Sequence, residues 1–165
     1  MRHGRVGRHL NRSTGQRRAL YRILMTELFR HDEIVTTEAK ARAIRPLAER
    51  LVTKARKGRT ESVIDLAKQR NSTALTAWFN AKRAEELIAL VDGGDEKALQ
   101  ALAQQLALHA RRQVLATLTD KGVAHKLVDE TAPRFADRPG GYTRMYKLGM
   151  RRGDSSPMAK LQLVE

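Results

Sequence analysis

Arg2, Arg5, Arg8, Arg12, Arg17, Arg18 and Arg22 fall within the first 25 residues, and no Asp or Glu stands among them. A guanidinium is a planar, permanently charged fork of donors that grips a phosphate through two parallel hydrogen bonds, which a lysine cannot do. Seven arginines without a carboxylate to neutralise them therefore suit a dense polyanion, whose condensed counterions are released on binding. Up to Thr14 the run has no apolar periodicity, because Val6 and Leu10 are isolated and Gly4 and Gly7 interrupt any regular element. Such a segment buries too little apolar surface to offset the entropy of its own ordering, so residues 1–13 are expected to order on a nucleic acid and to be disordered without one. A solvated basic tail or a transit peptide shares this composition.

Other chemistry is sparse. The histidines at 3, 9, 31, 109 and 125 lack metal-ligand spacing, and the chain has no cysteine, which removes thiolate metal sites and disulfides. Gly140-Gly141 lies outside any phosphate-loop or dinucleotide pattern and reads as a turn, while Ser155-Ser156 has no base near it in sequence. Nothing composes an active site, so the chain is not expected to be an enzyme and no cofactor or small-molecule substrate is implied. Tyr142 and Tyr146 are aromatic enough to stack on bases, although strand tyrosines more commonly pack half-buried.

The net charge of +14 and a pI near 10.9 point to nucleic acid or an anionic membrane as partner. No apolar run approaches the roughly 20 residues a bilayer span requires, so a membrane role is not expected. The charge is concentrated at the ends. Residues 1–59 carry 16 Lys and Arg against 5 Asp and Glu, residues 60–130 carry 9 against 10, and residues 131–165 carry 7 against 3. Two basic ends thus flank a near-neutral middle.

The elements that must carry these residues follow from caps and periodicity. Ser13 with Gln16 makes a capping box, and Leu20, Ile23, Leu24 and Leu28 predict a helix from Thr14 to His31. Arg17, Arg18 and Arg22 lie on its polar side, where they extend the charge of the tail. Glu33 to Thr37 is a β-branched strand. A second helix capped by Thr37 buries Ile44, Leu47, Ala48, Leu51 and Val52, and Pro46 should kink it. Beyond Gly58 the pattern predicts a short helix over 61–70, one helix over 73–91, a turn at 92–95 and a longer helix carrying Leu99 to Val114. A last short helix ends at Pro133, and Tyr142 to Leu148 and Met158 to Val164 are strands around a basic loop. The fold class is therefore α+β, with helices on a small mixed β-sheet, a basic extended N-terminal tail and an inserted α-helical hairpin.

Both ends resemble a known family. Met1-Arg2-His3, Gly7-Arg8, Leu10-Asn11-Arg12 and Arg17-x-Ala19-x-x-Arg22 are similar to the opening of bacterial large-subunit ribosomal protein L-seventeen, as are Thr36-Thr37, Lys40-Ala41 and Arg45. At the far end, Ala132-Pro133-Arg134-Phe135, Asp137-Arg138, Gly140-Gly141-Tyr142-Thr143-Arg144, Arg152-Gly153-Asp154 and Pro157-Met158-Ala159 agree in order and spacing. The agreement from Met1 implies a mature start rather than a transit peptide. It covers residues 1–58 and 107–165, with Leu108-His109-Ala110-Arg111-Arg112 resembling the start of the family's third helix.

The resemblance implies a structural constituent of the large ribosomal subunit, cytoplasmic, binding large-subunit ribosomal RNA near the exit of the nascent-chain tunnel beside neighbouring ribosomal proteins. A free architectural or regulatory nucleic-acid binder is the alternative. The residues expected at RNA are Arg2, His3, Arg5, Arg8, Asn11 and Arg12 in the tail, with Arg17, Arg18 and Arg22 on the first helix. Lys40 and Arg45 on the second helix join them, as do Arg144, Lys147, Arg151 and Arg152 near the C-terminus. The expected organisation is a tail at 1–13, a body at 14–58 and 107–165, and an inserted helical segment at 59–106 with a slight acidic excess.

Overall fold

The structure is a computed structural model that describes residues 7–164. Helix α1 (Thr14–His31) begins at the expected box: Gln16 N–H donates to Ser13 Oγ, and the Gln16 side chain accepts from Ser13 N–H. It ends where Asp32 turns left-handed, with φ +61°, a conformation that stops the helix and that Asp tolerates better than most residues. Strand β1 (Glu33–Thr37) leads directly into α2 (Glu38–Ala55). Thr37 occupies the N-cap position, but its hydroxyl makes no cap hydrogen bond. Helix α2 runs through Pro46 as one helical segment, with the exposed proline on its outer side.

A 3₁₀ turn over Arg56–Gly58 leads to α3 (Thr60–Lys68), α4 (Ser72–Trp78), α5 (Ala81–Asp92) and α6 (Glu96–Leu115). The single helix expected over 73–91 is two helices. Phe79 is extended and Asn80 starts α5 by accepting from Arg83 N–H at 3.1 Å. The apolar spacing of Leu75, Trp78 and Leu87 spans this break, which is why periodicity alone misses it. The middle segment is accordingly a set of short helices against the first half of α6, richer than a hairpin.

After α6 come α7 (Lys121–Lys126), a π-helical turn over Leu127–Thr131, a 3₁₀ turn over Ala132–Phe135, and strands β2 (Thr143–Met150) and β3 (Pro157–Leu163). The sheet order is β1-β3-β2, and both pairings are antiparallel. The sheet expected to be mixed is thus wholly antiparallel: β2 and β3 form a hairpin, and β1 enters beside β3 in the opposite sense. Gly149 (φ +87°) follows a register shift between Lys147 and Gly149.

Two apolar clusters hold the chain. In the larger, Leu28 and Phe29 of α1 meet Ile44, Leu51 and Val52 of α2, Val114 of α6, Leu127, Phe135 and Tyr142, and Ala159, Leu161 and Leu163 on the inner face of β3. Phe135 and Tyr142 pack at 5.1 Å between ring centroids. The second comprises Val63, Ala67, Leu75, Ala84, Leu87, Leu99 and Ala103, with Trp78 and Phe79 against it. Each fully buried large side chain contributes about 1.5–3 kcal/mol before entropy is counted. Helix α6 belongs to both clusters, since Leu99 and Ala103 serve the second and Val114 the first.

The junction between the clusters is closely fitted. Gly58 is buried, and a Cβ there would meet Val128 Cγ1 at 2.9 Å and Arg111 Cγ at 3.3 Å. Arg111 donates to Gly58 O at 2.7 Å and to Asp129 Oδ1 at 2.6 Å. Arg56 lies 5.8 Å from the Trp78 ring centre and donates to Tyr142 Oη and Arg138 O, each at 3.0 Å. Lys57 donates to Trp78 O at 2.7 Å at the end of α4, and burial, with Lys54 nearby, pushes its ammonium below the ordinary lysine range.

Candidate nucleic-acid interface

The polar side of α1 and the outer side of α2 face one another across a cationic cleft. Arg42, Pro46, Arg50 and Lys54 recur every four residues along α2 and so form one stripe on a helix. Near the start of α1 a cavity of about 430 Å³ is lined by Arg8, His9, Arg17, Tyr21, Arg42, Pro46 and Arg50. Farther along, a cleft of about 340 Å³ is lined by Arg18, Tyr21, Arg22, Met25, Leu47, Arg50, Lys54 and Thr117. No carboxylate lines either space. Glu38 nonetheless pairs with Arg42 at the edge of the first. Tyr21, Met25, Pro46 and Leu47 line these spaces beside the guanidinium and ammonium groups, a mixture that suits a phosphodiester strand, with charge for phosphates and apolar surface for sugars and bases.

From Gly7 to Ser13 the chain before α1 is irregular, and from Arg8 it is held against this cleft. Tyr21 Oη donates to Arg8 O at 3.1 Å. Arg17 Nη1 donates to Arg12 O at 3.4 Å and lies 3.1 Å from His9 Nδ1. A guanidinium has no acceptor, so His9 Nδ1 accepts there. Arg12 N–H closes a turn onto His9 O, with Leu10 and Asn11 left-handed. Arg8, Asn11 and Arg12 are exposed. Arg2, His3 and Arg5 lie outside the described residues.

The remaining residues expected at RNA are more dispersed. Arg18 is exposed, whereas Arg22 spends one nitrogen on Ala116 O at 3.3 Å, fastening α1 to the end of α6. Lys40 is half-buried. Arg45 faces Glu49 at 3.4 Å, and Glu49 in turn accepts from Thr143 Oγ1 at 2.8 Å, so Arg45 lies on the sheet side of α2 rather than in the cleft. Arg144 is exposed on the outer face of the sheet, and Lys147 lies 3.9 Å from Glu38. At the hairpin tip Arg151 makes a two-pronged pair with Asp154, at 3.0 and 2.5 Å, which raises its guanidinium pKa and holds the Asp154 carboxyl well below the usual carboxylate range. Arg151 is therefore partly occupied by its own loop, and Arg152 beside it is exposed. Arg42, Arg50 and Lys54, which line the cleft, are not among the residues expected at RNA, because charges on an amphipathic helix read first as a solvated face. Their four-residue spacing opposite the arginines of α1 was the available signal.

Elsewhere the charged groups tie elements together. Asp120 caps α7 through Gly122 and Val123 N–H and pairs with Arg30 at 2.9 Å, and the Arg30 bond first, then the two backbone donors, hold its carboxyl below the ordinary range. Asp32 is met by Lys126 and Arg134, both at 3.4 Å. Among the described residues no group of His, Asp and Glu is placed to hold a metal ion, and no helix is long and apolar enough to cross a membrane.

Comparison with known proteins agrees with the motifs at the two ends. A family model described as Ribosomal protein L17 matches residues 20–164. The chain is 34% identical to the large ribosomal subunit protein bL17 of Desulforapulum autotrophicum, across 99% of this chain and 97% of that one. It is 35% identical to the protein of the same name in Desulfotalea psychrophila, covering 99% and 90% of the two chains, and 35% identical to that of Caldanaerobacter subterraneus, covering 95% and 97%. The chain belongs to the ribosomal protein L17 family.

Proposed function

We propose that this chain is a structural constituent of the bacterial large ribosomal subunit, cytoplasmic, that binds large-subunit ribosomal RNA near the exit of the nascent-chain tunnel, beside neighbouring ribosomal proteins. Membership of the family supports the assembly, since the relatives carry the large subunit in their names. The observation that carries the RNA contact is the cleft between α1 and α2, lined by Arg8, Arg17, Arg18, Arg42, Arg50 and Lys54. An RNA strand there releases counterions from several phosphates at once. Exposed Arg144 on the outer face of the sheet and Arg152 at the hairpin tip supply further cations, and Lys147 adds one on the opposite side of β2. The role is architectural: the chain clamps RNA, and no reaction is assigned to it.

The middle segment, residues 59–106, serves in this proposal as an accessory projection that RNA binding does not need. Its own apolar cluster and its slight acidic excess support that division. The test is isolation of ribosomal subunits from the producing organism, with a moderate salt wash. The chain should remain on the large subunit at one copy per particle. Its release into the free protein fraction by the wash would refute the proposal and favour a free nucleic-acid binder.

A further inference from the structure

The cleft and Arg144 account for charge, but the exposed aromatic and aliphatic groups beside Arg144 on the outer face of the sheet are left without a role. There Val35 of β1, Lys160 of β3 and Tyr146 of β2 stand side by side in one row. Glu33, Gln162 and Arg144 form the next row. Val35 is 59% and Tyr146 44% exposed. The two tyrosines of this region have opposite environments. Tyr142 is buried, with its hydroxyl accepting from Arg56 at 3.0 Å, whereas the Tyr146 ring lies open on the face. Arg144, two residues earlier on the same side of β2, is exposed. Glu33 is the one carboxylate in these rows, and Lys160 takes it at 2.5 Å.

We propose that this face is a stacking platform for an unpaired base of RNA, with Tyr146 beneath the base and Arg144 toward the adjoining phosphate. The inference rests on the RNA-binding function above and adds to it a single-stranded contact away from the cleft. Every base offers a π face to an exposed aromatic ring, and flanking cations hold the backbone. A protein partner fits less well. Arg144 has no ion-pair partner among the described residues, which leaves its guanidinium for a phosphate, whereas a protein partner would have to bring its own carboxylate to it. The basic hairpin tip, with Arg151 and Arg152 beyond β2, extends the same charge outward.

The test titrates the full chain with large-subunit ribosomal RNA in four forms: unsubstituted, Tyr146→Ala, Tyr146→Phe and Arg144→Ala. Tyr146→Ala should weaken binding roughly five- to hundredfold, the range for loss of one stacked base, with an unchanged salt slope because no charge is removed. Tyr146→Phe keeps the ring and should stay within about twofold. Arg144→Ala should flatten the slope of log affinity against log salt by about 0.7–0.9. Thermal midpoints of all four should coincide, since both side chains are exposed. Undiminished RNA binding by Tyr146→Ala would overturn the platform, and if that variant also failed to enter large subunits, the face would belong to a neighbouring protein. If the unsubstituted chain bound no RNA, the first titration would show that the function beneath the inference had failed, and the inference with it.

Discussion

Replacing Gly58 with Ala should destabilise the protein, although alanine is ordinarily the better residue in helical backbone. The 3₁₀ turn at Arg56–Gly58 does not require the conformational freedom of glycine, so Ala would gain about 0.4–1 kcal/mol by restricting the unfolded chain. Against this, its methyl would lie 2.9 Å from Val128 Cγ1 and 3.4 Å from Val128 Cγ2, inside a fully packed junction. Overpacking of that kind costs about 1–3 kcal/mol. The difference is a net loss of about 0.5–2 kcal/mol, or a fall of several degrees in thermal midpoint for a chain of this size. Val128→Ala removes both offending methyls. Alone it should cost about 2 kcal/mol through lost burial and a cavity. In that background Gly58→Ala should lose most of its penalty, because the 2.9 Å contact is gone and only Arg111 Cγ at 3.3 Å, on a side chain fixed by Gly58 O and Asp129, remains close. Thermal unfolding followed by circular dichroism measures the four-member cycle, and fluorescence of Trp78, the single tryptophan, reports on the same junction through Arg56. An equal loss from Gly58→Ala in both backgrounds, or no loss in either, would refute the packing assigned to this junction.

Two further substitutions or conditions probe the body. Thr131 is fully buried and its hydroxyl has no hydrogen-bond partner, so Thr131→Val should stabilise the fold by about 1 kcal/mol, seen as a raised thermal midpoint; a lowered midpoint would show that the hydroxyl is satisfied. Acid should loosen the hairpin tip. The Asp154 carboxyl is depressed in the folded state, so its contribution is present above the unfolded carboxylate range and is lost as pH falls below it. Ser156 N–H, which donates to Asp154 Oδ1 at 3.2 Å, should show a chemical-shift change at a pH well below that of ordinary carboxylates, and a shift at the ordinary value would contradict the Arg151 pairing.

What was legible in the sequence was mostly local. Ser13 and Gln16 placed the start of α1 because a capping box satisfies two backbone donors at once, and the same physics acts where the Asn71 and Asp95 side chains accept from Ala74 and Ala98 N–H to begin α4 and α6. The break at Phe79-Asn80 is hidden because its apolar residues keep helical spacing across it, and the Asn80 cap is the one local signal against a continuous helix. The path of α6 through both clusters was not readable either, since its stripe looks uniform while its two halves pack against different partners. Strand existence was legible from β-branching, but the wholly antiparallel pairing depended on how β1 enters the sheet. At the candidate interface, the arginine-rich opening was plain and Lys40 and Arg45 were read on the second helix, whereas the cleft itself required knowing that Arg50 and Lys54 face Arg18 and Arg22. Tyr142 and Tyr146 were equivalent in sequence, and only their positions against Phe135 and on the open face separate them.

The cleft between α1 and α2 is tested most directly by the salt dependence of binding to large-subunit ribosomal RNA. The full chain is compared with a triple variant in which Arg18, Arg50 and Lys54, which line one cleft, are replaced by Ala. If each meets a phosphate, the slope of log affinity against log salt should flatten by roughly two to three units while the thermal midpoint stays in place. An unchanged slope in a folded triple variant would mean that these cations face solvent and that RNA is held elsewhere.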